Sequence, residues 1–149
     1  MTPDLLAEVM EATWPALSRH QLGPFTLRDG AGGGKRVSAA SCDGPFTEAD
    51  LAAVEAAMAQ PLMLIREGDT ALDAALDARG WRIIDPVVAY AAPVTALIAE
   101  LPGLTAFPHW PPLEIARSLW AEGGIGPARI AVMDRVTGAK AALLGRTGD

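Results

Sequence analysis

The chain has 149 residues and a mass of 15.5 kDa, which is one ordinary domain and leaves no room for two full ones. Half of the residues are hydrophobic and a fifth are charged, a composition that excludes a disordered chain. The formal net charge of −6 and the sequence pI of about 4.8 argue against a nucleic-acid-binding protein, because little basic surface is left to neutralise phosphates.

The sequence predicts a soluble cytoplasmic protein that does not bind membranes. Its single cysteine, Cys42, cannot form an internal disulfide. No apolar run approaches the roughly 18 residues that cross a bilayer. The first residues lack the basic and apolar segments of a signal peptide. Asparagine is absent and only two lysines occur, which indicates a GC-rich, bacterial coding sequence.

Two helices are predicted from their N-terminal signals. Thr2 can cap the first one, Pro3 suits its first position, and Pro15 follows its end. The second begins after Thr47, where Asp50 takes the place of the usual Glu or Gln of a capping box. Both segments carry apolar residues at helical spacing.

A hairpin is predicted between these helices. Its strands are 25–28 and 36–40, and the glycine-rich segment 30–34 is the turn. The chain then continues past the second helix into 62–65, a run of four apolar residues typical of a strand buried on both faces.

A further helix and strand follow this run. Asp69 is the expected cap of the helix, and Gly80 ends it. Residues 81–92 are predicted to form a strand with a bulge or an edge position at Pro86. Together with 62–65 they make a βαβ-sized unit, although so short a connection also allows an antiparallel return.

The last third of the chain begins with the proline-rich, irregular segment 93–112, with one or two helical turns around 94–100. A helix is predicted from Pro111 to Gly123, followed by a second hairpin of 128–133 with 140–144. The expected fold class is α/β (α+β), a mixed, mostly antiparallel sheet flanked by helices. A terminal hairpin exposes a sheet edge, so we expect homo-oligomers through the 128–145 edge.

The glycine-rich loop 29–36 has two interpretations. It departs from a Walker A motif, because Asp29 stands at the first glycine position and Arg36 replaces the residue that holds magnesium. A predicted strand rather than a helix follows it, which disfavours a phosphate site and hence a nucleotide-binding enzyme. A flexible hairpin turn is the first interpretation, and a loop that binds an anionic ligand is the second.

Other candidate residues have a structural and a functional interpretation. Cys42 has no histidine nearby in the sequence to activate it, so a buried or half-buried thiol is expected. His20 and His109 do not stand in a metal-ligand spacing. Trp110, in an irregular stretch, either packs or lines a pocket. The segment 122–127 is either a helix stop or a loop that faces a substrate.

Four stretches resemble the leading part of a GCN5-related N-acetyltransferase of the bacterial type with an extra N-terminal half. They are Ala12–Ala16; Leu27–Gly30 with Gly33–Ala40; Ala75–Trp81; and Trp110–Leu113 running through Trp120 to Gly124 and Ala128–Met133. The resemblance implies a GNAT-like fold and transfer of an acetyl group from acetyl-CoA to a small-molecule or peptide amine. It allows a subdivision into an N-terminal unit 1–92 and the start of the acetyltransferase core at 108–149.

In that family, a loop of the form Arg/Gln-x-x-Gly-x-Gly/Ala binds the pyrophosphate of acetyl-CoA at a helix N-terminus. This sequence carries no such loop, and the resemblance stops at Asp149. We therefore expect acetyl transfer only where a further segment or subunit supplies it. Tyr90, the only tyrosine, does not match the position of the family's usual general acid.

The resemblance places five residues on the substrate side: Arg36, Ser38, Trp110, Glu122 and Gly124. They are expected to line the amine site, and no catalytic role is assigned to them. The alternative hypothesis is a module without catalysis that keeps the same fold to bind a small molecule or another protein.

Overall fold

The computed structural model describes residues 2–100 and 102–146, so Asp149, where the resemblance ends, lies outside them. The fold is α+β, as the sequence predicts. The chain divides into two compact units, which we describe separately. Unit 1 is Met1–Pro86 with Pro127–Val136, and unit 2 is Val87–Gly126 with Thr137–Asp149.

The described part of the chain contains five α-helices, two short 3₁₀ helices and five strands. The α-helices are α1 (Pro3–Thr13), α2 (Glu48–Ala57), α3 (Thr70–Ala78), α4 (Glu114–Glu122) and α5 (Pro127–Arg135). The 3₁₀ helices are Lys35–Val37 and Val94–Ala96. The strands are β1 (Ser18–Leu22), β2 (Phe25–Asp29), β3 (Ser41–Cys42), β4 (Ala106–His109) and β5 (Ala142–Gly145).

The predicted caps of the first two helices are confirmed. The Thr2 hydroxyl accepts a hydrogen bond from the backbone N–H of Leu5 at 3.3 Å. At α2, the Thr47 hydroxyl accepts from the Asp50 N–H, and the Asp50 carboxylate accepts from the Thr47 N–H at 2.9 Å. The same carboxylate also accepts from the Thr47 hydroxyl at 2.7 Å. The hydroxyl and the N–H of Thr47 together lower the pKa of Asp50, since both donate to its charged form. A shorter acidic side chain therefore completes the capping box.

The first predicted hairpin is wrong because β2 does not pair with segment 36–40. β2 pairs with β1, with Leu22 opposite Phe25 across a two-residue turn at Gly23, and on its other side with β3. β1 escapes a search for apolar alternation because its sequence, Ser-Arg-His-Gln-Leu, lies at an exposed sheet edge. Segment 36–40, predicted as a strand, instead begins within the 3₁₀ turn Lys35–Val37.

Unit 1 has one hydrophobic core, between the sheet and helices α2 and α3. Phe25, Leu51 and Val54 have no exposed surface at all. Around them lie further buried side chains from β2, β3 and the two helices: Leu27, Ala40, Cys42, Leu72 and Leu76. Each large side chain in such a core contributes about 1.5–3 kcal/mol to folding, so this cluster supplies the main driving force for unit 1.

The second predicted hairpin is wrong because 128–133 is helical. Pro127 occupies the first position of α5, where its missing N–H removes no hydrogen bond, and the buried residues are Ile130 and Val132. An oligomer edge made by a 128–145 hairpin is therefore excluded. β5, which was predicted correctly within a residue or two, pairs with β4 instead.

Two predicted strands of unit 1 are not formed as expected. Segment 62–65 makes only one parallel bridge, from Met63 to Ala40, and its residues are half-buried or exposed. Segment 81–92 is in no strand of the described chain, and exposed side chains follow Trp81 throughout. The βαβ unit is therefore absent; only its helix, α3, and the stop at Gly80 are confirmed.

Unit 2 consists of the antiparallel pair β4–β5, helix α4 and the 3₁₀ turn Val94–Ala96. The turn at 94–96 and the end of α4 at Gly123 were both predicted. Three described residues of this unit are buried, Pro112, Ala116 and Ala142, and none of them is a large aliphatic or aromatic residue. Unit 2 thus has no hydrophobic core comparable to that of unit 1.

The glycine-rich loop packs against α5. A Cβ atom on Gly33 would collide with Cγ2 of Val132, which is itself fully buried, and would come within 2.9 Å of the Gly30 carbonyl oxygen. A Cβ on Gly30 would collide with Oγ of Ser38. These two glycines are required because the loop backbone approaches its neighbours too closely for any side chain.

We predict that Gly33→Ala lowers the free energy of unfolding by about 1–3 kcal/mol, since the added methyl group overpacks a rigid contact. Val132→Ala should relieve the collision, so the double variant should lose less stability than the sum of the two single variants. Urea denaturation measures all three. Gly44→Ala is the control, because a Cβ there meets nothing within 4 Å. Equal losses for the two glycine variants would contradict the packing role.

Candidate functional site

An open cleft of about 400 Å³ lies on unit 1. One wall is the first two turns of α1, and the other consists of the loop after β3 and the loop before α3. The lining residues are Pro3, Asp4, Ala7, Cys42, Asp43, Gly44, Arg66, Glu67 and Asp69. Because β3 ends at Cys42 and α3 begins at Thr70, the two loops are fixed by elements that belong to the core.

Arg66 organises the floor of the cleft. Its Nη1 donates to Oδ1 of Asp43 at 3.1 Å, and its Nε donates to Oδ2 of Asp69 at 3.4 Å. Its Nη2 donates to the backbone carbonyl of Cys42. Burial opposes the charge, but the two carboxylates outweigh it and raise the pKa of Arg66. Arg66 therefore stays cationic and ties the two loops together.

Asp43 and Asp69 have further partners within the protein. Oδ2 of Asp43 accepts from the Thr26 hydroxyl at 2.7 Å, which joins the cleft to β2. Oδ2 of Asp69 accepts from the backbone N–H of Arg66 at 2.9 Å. The side chain that was expected to cap α3 thus closes the preceding turn instead. Both carboxylates are structural as well as cleft-lining.

The cleft is acidic overall. Four carboxylates line it against one guanidinium. Arg66 pairs with Asp43 and Asp69, while Asp4 and Glu67 are exposed. An excess of negative charge in a concave surface attracts cations and repels phosphates. The arrangement is therefore suited to a cationic group such as an alkylammonium.

Cys42 is the buried thiol that its sequence context predicts, with 6% of its surface exposed. Desolvation raises the pKa of Cys42, and the nearby carboxylates of Asp43 and Asp69 act in the same direction. Its Sγ donates to the carbonyl of Gly44 at 3.2 Å. A thiol that keeps its proton is a poor nucleophile, so Cys42 has a packing role here.

Two of the five predicted substrate-side residues, Arg36 and Ser38, lie in unit 1 and do not line the cleft. The Arg36 guanidinium carbon lies 5.5 Å from the centre of the Trp14 ring, a cation–π contact. Ser38 donates through Oγ to the Gly34 carbonyl at 3.0 Å. Each side chain thus has an internal partner.

The other three, Trp110, Glu122 and Gly124, lie in unit 2. Lys140 places its Nζ 4.6 Å from the centre of the Trp110 ring. Glu122 is exposed at the last position of α4. Gly124 has a φ of 78°, a conformation typical of glycine just after the end of a helix. Their assignment to an amine site stays a prediction.

Sequence reasoning missed the cleft. Of the lining residues, the sequence singles out Pro3 and Asp69 for helix starts and Cys42 as a buried thiol. The residues that meet at the floor are separated by more than 20 positions, as Asp43 and Arg66 are, so no local motif connects them. The only local signal was Arg66 three residues before Asp69.

Comparisons with protein-family models, with curated proteins and with solved structures gave no match for this chain. The N-acetyltransferase resemblance therefore stays a prediction. Among the described residues, no helix is both long and apolar enough to cross a membrane. Nor does any group of three His, Cys, Asp or Glu side chains within residues 2–100 and 102–146 lie close enough together to hold a metal ion.

We predict that Cys42 stabilises the fold less at alkaline pH. A raised pKa means that the folded state holds the thiol proton more tightly than the unfolded chain does. That contribution is fully present below the ordinary value of 9.0 and is lost as pH rises through the higher folded-state value. The stability difference between the wild-type chain and Cys42→Ala, measured by urea denaturation, should therefore shrink from pH 8 to pH 10.

The same burial should protect the thiol from chemical labelling. At neutral pH, a thiol-specific disulfide reagent should label Cys42 at least about tenfold faster in denaturant than in the native protein. Native labelling as fast as that of the denatured chain would contradict a buried, protonated Cys42.

Proposed function

We propose that this chain is an N-acetyltransferase-related protein whose acidic cleft binds an amine in its cationic form. The observation that carries the proposal is the excess of carboxylates in the cleft, where Asp4 and Glu67 add to the Asp43–Arg66–Asp69 cluster. The family resemblance supplies the substrate class, a small-molecule or peptide amine. A cytoplasmic location belongs to the same proposal.

The charge pattern supports an amine rather than an anion. Arg66 is the only basic residue of the lining, and its donors already reach Asp43, Asp69 and the Cys42 carbonyl. An incoming carboxylate or phosphate would meet four carboxylates and an engaged guanidinium. An ammonium group, in contrast, would gain from each exposed carboxylate about 0.2–1 kcal/mol, the range for surface ion pairs.

Acetyl-CoA, which the resemblance implies, does not fit the described residues. Its pyrophosphate needs convergent backbone N–H groups at a helix N-terminus. The two helix starts that line the cleft carry the carboxylates of Asp4 and Asp69, which repel phosphates. In the glycine-rich loop, the Gly33 N–H bonds the Gly30 carbonyl at 2.9 Å, and the Ala31 N–H bonds the Asp29 carboxylate at 2.8 Å. We therefore derive no acetyl-transfer step, and the proposed function is amine binding.

We predict that a polyamine probe, spermidine, binds the chain and that removing cleft charge weakens it. Asp4→Asn and Glu67→Gln should each lower the affinity about two- to fivefold, the equivalent of an exposed ion pair. Isothermal titration calorimetry at low salt measures the affinity for spermidine. Added salt should lower the affinity further, because it screens the charges.

The matched control is Asp73→Asn with Asp77→Asn, which removes two exposed carboxylates from α3 outside the cleft. This control should bind spermidine as the wild-type chain does. Equal weakening by the control and the cleft variants would mean that the overall charge, and not the cleft, attracts the amine. Absence of binding at low salt would overturn the proposal.

A second titration separates an amine-binding module from an acetyl-CoA-binding enzyme. We expect acetyl-CoA to leave the thermal unfolding of this chain unchanged, because the cleft repels phosphates. A specific ligand at 100 times its dissociation constant would add about 2.7 kcal/mol to the stability. A stabilisation of that size by acetyl-CoA would contradict a module that binds only amines and would favour an acetyl-CoA-binding enzyme.

A further inference from the structure

Unit 2 exposes a continuous apolar segment that nothing in its own described structure covers. In this segment, residues 87–98, six large side chains are between 70% and 92% exposed: Val87, Val88, Tyr90, Val94, Leu97 and Ile98. Most soluble monomers confine apolar exposure to scattered residues or small patches. The same unit buries only Pro112, Ala116 and Ala142 among its described residues, so it cannot turn these side chains into a core of its own.

The segment also lacks the features that protect exposed strands from pairing. No charged residue occurs between Asp85 and Glu100. Natural sheet edges usually carry lysines or other charges that block association. Residues 87–92 form no strand or helix in the structure, and their sequence, Val-Val-Ala-Tyr-Ala-Ala, begins with residues that favour strands. Pro86 and Pro93 bound this stretch and restrict pairing to six residues.

We propose that the apolar segment is a homodimer interface in which residues 87–92 of two copies pair as antiparallel strands. Two features argue for a second copy as the occupant. The segment is uncharged, so two copies meet without repulsion in a two-fold, self-complementary arrangement. The six side chains also expose on the order of 600 Å² of apolar surface, which matches the lower end of what each partner contributes to a stable interface.

The proposal is independent of the amine-binding function, which rests on unit 1 alone. It also differs from an edge at 128–145, since α5 is a helix and takes no part here. The paired strands would satisfy backbone groups of 87–92. In a two-fold register over all six residues, Val88 lies opposite Ala91 of the second copy and Tyr90 lies opposite its Ala89.

Analytical ultracentrifugation of the purified chain tests the proposal. At about 100 µM the wild-type chain should sediment with twice its monomer mass, because a modest interface associates at micromolar concentration. Val88→Glu with Tyr90→Glu should raise the dimer dissociation constant at least about tenfold, as loss of central interface residues does. Both residues are exposed, so folding of the monomer should not change.

The matched control is Leu17→Glu with Leu5→Glu, which introduces the same two charges at side chains of unit 1 that are 56% and 47% exposed. It should dimerise as the wild-type chain does. Hydrogen–deuterium exchange above and below the dissociation constant should show protection confined to 87–98. A monomeric wild-type chain, a dimer that the double variant does not weaken, or protection elsewhere would overturn the proposal. A monomer would leave the surface to a different polypeptide.

Discussion

The position of α1 depends on the ion pair between Glu11 and Arg28 of β2, to which Arg19 of β1 adds a second contact with the same carboxylate. Arg28, whose side chain is 7% exposed, contacts Oε1 of Glu11 at 2.7 Å and donates to the Ala39 carbonyl and the Ser41 hydroxyl. α1 itself buries no residue, so apolar packing alone does not fix it to the sheet. Because Asp4 lies on this helix, one wall of the cleft is held by a charge network. Such a network fixes geometry well, but it is costly to leave half-paired.

Four of the five described α-helices, α1 to α4, were predictable because their signals are local. Thr2 and Thr47 both cap as their sequence context indicates, and Gly80 and Gly123 end helices as glycine commonly does. The sheet was harder, because strand pairing depends on residues far apart in the sequence. The polar strand β1 has no alternating pattern. Segment 128–133 ends in a run of four apolar residues that favours a strand, yet it forms α5, where Pro127 favours the helix.

The candidate site follows the same division between local and distant information. Burial of Cys42 could be predicted from its own sequence context, whereas the cleft requires α1, the β3 loop and the α3 loop to meet. The glycine-rich loop shows the opposite error. The sequence predicts a strand after this loop, and a hairpin turn of that kind gives the glycines no close neighbour that would require them. In the structure, Gly33 faces Val132 of α5, a contact that joins positions about a hundred residues apart.

The proposed amine site contains a conflict that bears on catalysis. An amine must lose a proton before it can attack a thioester, and a general base assists that loss. Carboxylates around an ammonium group, such as Asp4 and Glu67, favour its charged form and raise its pKa. The features that would hold the amine in this cleft therefore oppose its activation there. For acetyl transfer, the bound amine would have to move away from these carboxylates or meet a stronger base. The acidic cleft on its own is consequently better suited to capturing an amine than to making it react.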